Sequence, residues 1–153
     1  MSGGLQMERI QEQMRRLRLV RSVDQLPAML EQAAKREISY SDFLEELLAR
    51  EIAGKQERNT TMRISMAHFP FEKSLETFDF KFQPSIDAKL VRELATCRFI
   101  TSAENVLLLG PPGVGKTHLA VALGLKACAG GYRTLFTTAA ALISTLTRAQ
   151  SEN

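Results

Sequence analysis

Apolar residues recur at helical spacing through the first half of the chain. Met7, Ile10, Met14 and Leu17 form one narrow stripe, with Arg9, Arg15, Arg16 and Arg18 on the remaining faces. The spacing predicts a second helix from near Asp24, carrying Leu26, Met29, Leu30 and Ala33 on its apolar side. Pro27 is tolerated there if it falls in the first turn, where a missing N–H does no harm. Ser39 and Asp42 then make a weak capping box ahead of Phe43, Leu44, Leu47, Leu48 and Ile52, which read as a core stripe. The same helix is expected to run through Gly54 and the polar residues 55–61 to Met62, Met66 and Phe69, and to stop at Pro70. Residues 1–68 therefore read as a small all-α N-terminal domain. Its methionines suit packing better than a groove for a partner helix.

From Phe69 the pattern changes. Phe69, Phe71, Phe78, Phe80 and Phe82 crowd a short connector, residues 69–84. Side chains of this size are costly to leave in water, at about 25 cal/mol per Å², so they are expected to dock on the following domain rather than stack on bases. Ser85 is placed to cap a helix with Ile86, Leu90, Leu94 and Cys97 along its apolar face. An apolar strand over 106–109 leads through a glycine-rich loop into a helix that Gly130 and Gly131 end. Residues 133–137 read as a second strand and 139–150 as a helix. The alternation implies a parallel α/β sheet over residues 85–153.

The loop between the first strand and its helix carries the chemistry. Gly110, Gly115, Lys116 and Thr117 complete the pattern G-x-x-x-x-G-K-[ST], the Walker A phosphate loop, in the strand-loop-helix setting that it requires. Its glycines let successive N–H groups point into one concavity, and Pro111 and Pro112 stiffen the approach. The helix N-terminus that follows attracts polyanions. Lys116 adds a mobile positive charge for the outer phosphates, and the Thr117 hydroxyl is placed to hold Mg²⁺ of a bound nucleotide. The predicted ATP contacts are therefore Gly110, Pro111, Pro112, Gly113, Val114, Gly115, Lys116, Thr117 and His118. A chance glycine turn is disfavoured because the whole motif is present in its proper context.

Composition narrows the picture only modestly. A chain of 153 residues with 44% hydrophobic content can make one ordinary domain or two small ones. Its net charge of +3 gives no licence to call the whole chain a nucleic-acid binder. Twelve basic residues oppose twelve acidic ones between positions 1 and 78, so DNA affinity there would need local segregation of charge. The arginines near residues 9–18 read first as a solvated helix surface and second as contacts to a DNA backbone. Cys97 and Cys128 form no C-x-x-C pair and read as structural thiols of a reducing cytosol. His68 and His118 suggest no metal cluster. Met1 opens no signal-peptide apolar core, and the expected location is cytoplasmic.

With these residues in view, the chain resembles the IstB-like ATP-binding proteins, helper ATPases of insertion-sequence transposition, and more distantly the DnaC-like helicase loaders. The likeness rests on Phe69-Pro70, on Leu75-Glu76-Thr77-Phe78-Asp79-Phe80, on Gln83-Pro84-Ser85 and on Val91-Arg92-Glu93-Leu94-Ala95. It continues from Glu104-Asn105-Val106 through the phosphate loop to Ala120, then at Tyr132-Arg133 and over 138–142. The resemblance implies a P-loop NTPase core of the AAA+ type behind a helical N-terminal domain. It also implies ATP-dependent assembly on DNA, cooperation with a transposase, and homo-oligomerisation through the ATPase domain of the parent.

The family pattern continues past residue 153. An apolar strand ending in paired acids, the sensor residues and an arginine acting across a subunit boundary are not found here, and phosphoryl transfer relies on such groups. The expectation is a fragment that binds ATP without hydrolysing it alone. In the sheet order 5-1-4-3-2 that the resemblance implies, the strand at Val106 lies between two strands absent from these residues, so the α/β core is expected to be incomplete. Two other readings stand beside this one. One is a helical DNA- or protein-interaction module attached to an inactive ATPase remnant. The other is a small-molecule P-loop kinase, which the helical first half disfavours.

Overall fold

Helix α2 (Val20–Arg36) begins one turn earlier than its own sequence announces. No side chain next to its start caps it. The cap comes instead from Glu51 of helix α3 (Tyr40–Met66), whose Oε2 accepts the N–H groups of Arg21 at 3.0 Å and Ser22 at 3.1 Å. Because the helix starts early, Pro27 lies in its interior and not in the predicted first turn. A proline there leaves the carbonyl four residues earlier without its helical donor. That carbonyl belongs to Val23, and Gln11 Nε2 of helix α1 (Ser2–Arg16) donates to it at 3.2 Å.

The computed structural model describes residues 2–152, with side chains from Gly4 onward, so Met1 and Asn153 lie outside it. The chain divides into two compact units, Met1–Arg58 and Asn59–Asn153. In the first, Met14, Val23, Leu26, Met29 and Leu47 form the core, with Met7, Leu19 and Phe43 packed on it. Glu37, in the left-handed conformation, ends α2: its N–H reaches Ala34 O and that of Ile38 reaches Ala33 O. The Ser39–Asp42 capping box forms as expected, with Asp42 N–H on Ser39 Oγ at 3.1 Å and Ser39 N–H on Asp42 Oδ2 at 3.3 Å. The α3 core stripe is narrower than predicted. Leu47 is buried, whereas Leu44, Leu48 and Ile52 are exposed, as are Met62 and Met66 farther along.

In the second unit, the connector docks through some of its aromatics. Phe69 packs over Gly124 and lies 6.4 Å from the ring of Phe136. Phe78 is buried with Val91 and Leu119, and Phe80 packs beside it. Phe71 and Phe82 remain exposed, contrary to expectation. Helix α4 (Ala88–Leu94) is capped by Asp87, which accepts from Lys89 and Leu90, and not by Ser85. Its buried residue is Val91, while Leu90 faces out. A short helix α5 (Arg98–Thr101) follows, then α6 (Lys116–Ala129), which buries Leu119, Val121, Ala122, Leu123, Ala127 and Cys128. Helix α7 (Ala139–Ser151) is capped by Thr138 and buries no residue.

The predicted α/β sheet is not formed: among the described residues there is no strand. Residues 106–109 and 133–137 lie outside the helices, and no ladder joins them to anything. The single backbone bond from the second segment runs from Phe136 N to Ala67 O at 2.8 Å. A strand needs neighbours for its N–H and C=O groups, and a parallel strand is normally covered on both faces. The alternation expected of a strand survives. Val106 and Leu108 are half-buried, while Leu107 and Leu109 stand 80% and 88% exposed. The residues thus keep strand periodicity without strand partners.

Candidate functional site

The loop between residue 109 and α6 turns on glycines in conformations that a side chain resists. Gly113 has φ +84° and Gly115 φ +90°. At Gly115 a Cβ would also lie 2.7 Å from the ring of Phe78. Lys116 is the first residue of α6, and its Nζ folds back over the loop to donate to the carbonyls of Gly110 at 2.9 Å and Pro111 at 2.6 Å. The ammonium group is thereby held above the bend. Thr117 follows, exposed in the first helical turn. Pro112, Gly113, Gly115, Lys116, Thr117 and His118 line one cavity of about 370 Å³.

His118 also reaches the connector. Its Nε2 lies 2.9 Å from Ser74 O and 3.4 Å from Thr77 Oγ1, and its ring meets Phe78 edge-on at 5.0 Å. It ties α6 to the 3-10 turn Leu75–Thr77 of the connector. Farther along α6, Lys126 pairs with Glu76 of that turn at 2.8 Å. The hydrogen bond from Lys126, with others from the Ser74 side chain and Glu76's own backbone, brings the Glu76 carboxyl down to about 2. A second cavity of about 370 Å³ opens between connector and loop, walled by Thr77, Phe78 and Asp79 on one side and Gly113, Val114 and Gly115 on the other.

The structure therefore brings seven of the nine predicted residues, Pro112 to His118, to these two adjoining cavities, while Gly110 and Pro111 serve as carbonyl acceptors for Lys116. What sequence reasoning missed is the connector's share: Ser74, Thr77 and Glu76 touch α6. The density of phenylalanines was the available signal, and it could not say which ring reaches the loop. Among the described residues, no group of three His, Cys, Asp or Glu is placed to hold a metal ion, and no helix is long and apolar enough to cross a membrane. Burial pushes the Cys97 thiol up from its usual value.

Comparison with known proteins shows the family. The family model for IstB-like ATP binding protein matches residues 12–153. The chain belongs to that family. Among curated IstB-like relatives, it is 53% identical over 126 residues to the insertion sequence IS21 putative ATP-binding protein of Pseudomonas aeruginosa. That match covers 82% of this chain and 48% of the relative. It is 48% identical over 145 residues to the IS5376 putative ATP-binding protein of Geobacillus stearothermophilus, covering 95% of this chain and 58% of the relative. A third, the IS232 protein of Bacillus thuringiensis subsp. berliner, is 34% identical over 137 residues, 90% of this chain and 55% of its own length. The chain thus spans about half the length of the curated relatives that it matches.

Proposed function

We propose that residues 110–118 bind the phosphates of ATP, with Lys116 on the outer phosphates and Thr117 holding the Mg²⁺ that accompanies the nucleotide. The observation that carries this reading is the placement of Lys116 and Thr117 in the first turn of α6, beside a cavity bounded by Gly113 and Gly115. Lys116 now rests on two carbonyls of its own loop, and a triphosphate offers it a stronger, charged acceptor. The adjoining cavity against Phe78 leaves room for the nucleoside. Binding, not turnover, is the step assigned to these residues. No Asp or Glu occurs between Thr117 and Glu152 to hold the metal or to orient an attacking water.

The same reading extends to a role as a transposition helper ATPase that assembles on DNA with a transposase in the cytoplasm. The relatives are insertion-sequence putative ATP-binding proteins, which supports that context. Titration of the chain with Mg-ATP tests the binding half. A hydrogen bond to a charged group is worth about 1.5–3 kcal/mol, so Lys116→Ala should weaken binding by about tenfold to more than a hundredfold. Equal binding by the wild type and that variant would overturn the assignment.

A second reading rests on the exposed arginines of the first unit, Arg9, Arg15 and Arg18. There the helical region contacts DNA phosphates and the nucleotide plays no part. Salt-dependent DNA retention unchanged by ATP would favour it.

A further inference from the structure

We propose that the connector segment 74–78 is a strap whose seating on α6 sets the affinity of the phosphate loop for nucleotide, with His118 and Lys126 as its positioning residues. This rests on the ATP-binding reading above and adds to it a means of regulation. Three separate contacts seat the strap. The Nε2 of His118 meets Ser74 O, Lys126 Nζ donates to Glu76, and the Phe78 ring lies against Gly115 and the His118 ring. Gly115 and His118 flank Lys116 and Thr117 in the chain. The strap therefore touches both neighbours of the two residues assigned to phosphate and metal.

The second cavity makes the coupling two-way. Its walls are Thr77 and Phe78 from the strap and Gly113, Val114 and Gly115 from the loop. A ligand that fills it contacts both, so it binds the seated arrangement better than an unseated one. By linkage, whatever favours seating then favours the ligand equally. The strap also continues the connector, so a pull on residues 69–73 would reach the nucleotide through these same contacts.

The Glu76–Lys126 pair permits a clean test. Lys126 lies ten residues beyond Lys116 on α6, about 15 Å along the axis, beyond reach of the bound phosphates. Both side chains are substantially exposed, at 40% and 65%, so exchanging them spares the core. The full chain is titrated with Mg-ATP as wild type, Glu76→Lys, Lys126→Glu and the double exchange. Each single variant should bind ATP about fivefold more weakly or worse, and the exchange should restore binding to within about twofold of the wild type. A simple field effect on the ATP anion predicts something else: Glu76→Lys would tighten binding and Lys126→Glu would loosen it. Trypsin cleavage at Lys73 and Lys81 is followed in parallel. ATP should slow it in the wild type and the exchange but not in the single variants. Single variants that bind like the wild type overturn the strap and leave ATP binding standing. Opposite shifts in the two singles do the same. A wild type that fails to bind ATP overturns both.

Discussion

Glu51 Oε2 accepts hydrogen bonds from the backbone N–H of Ser22 at 3.1 Å and from the Ser22 hydroxyl, also at 3.1 Å, across 29 residues of chain. One carboxylate thus caps α2 from inside α3. Burial alone would push the Glu51 carboxyl up. The hydrogen bonds from Ser22, Arg58 and Arg21 outweigh it and hold the group below its usual 4.5.

Glu51→Ala removes the cap and leaves the buried Ser22 N–H and the part-buried Arg21 N–H without their acceptor, so the first unit should lose about 1–3 kcal/mol in urea unfolding of the whole chain. The pH dependence follows from the depressed value. The contribution is complete above the ordinary carboxyl range and fades as pH falls below 4.5 toward the folded-state value. Wild type and variant should therefore converge in acid. A difference that stays constant down to pH 2 would refute the capping role.

Pro27 and Gln11 should behave as a coupled pair. Gln11→Ala leaves Val23 O unsatisfied and should destabilise by about 1 kcal/mol. In a Pro27→Ala background the new N–H of residue 27 serves Val23 O, so the same Gln11 change should have little effect. Additive effects in the double-mutant cycle would show that Gln11 does not substitute for the missing helical donor.

Gly115→Ala combines two penalties, a left-handed backbone at φ +90° and a methyl group aimed at the Phe78 ring 2.7 Å away. The substitution should reduce stability by about 1–3 kcal/mol. It should also abolish ATP binding, because relieving the clash moves either the loop or Phe78. A variant with wild-type melting and wild-type nucleotide affinity would contradict the close contact.

Glu76 reports directly on its pairing. Its carboxyl is brought down to about 2 chiefly by the hydrogen bond from Lys126, so Glu76 is ionised throughout the neutral range. Its stabilising effect is complete above 4.5 and is lost as pH falls from there through about 2. A carboxyl-carbon NMR titration should place the Glu76 midpoint near 2 in the wild type and return it toward the ordinary value in Lys126→Ala. A wild-type midpoint near 4.5 would remove the pair.

Much of the helical framework was legible because it is local. The Ser39–Asp42 box, the start of α6 at Lys116 and its stop at Gly130 all depend on residues within a few positions of each other. The glycine-rich bend before α6 was legible for the same reason. What could not be read came from distant partners. The early start of α2 depends on Glu51, and the tolerance of Pro27 depends on Gln11. The burial of Phe78, in preference to Phe71 or Phe82, depends on where Val91 and Leu119 lie. The two strands failed for the opposite reason: their apolar alternation is present, but strand structure resides in ladders with neighbours, and residues 106–109 meet none.

The unpaired stretch before the loop has a mechanical consequence. The loop's far end is rooted in α6, whose Leu119, Val121 and Ala122 are fully packed. Its near end follows a segment without ladder partners, and Lys116 Nζ ties the carbonyls of Gly110 and Pro111 back to α6. If the loop holds ATP as proposed, a phosphate that draws Lys116 off these carbonyls would release the near end at Gly110 while the far end at Thr117 stays rooted.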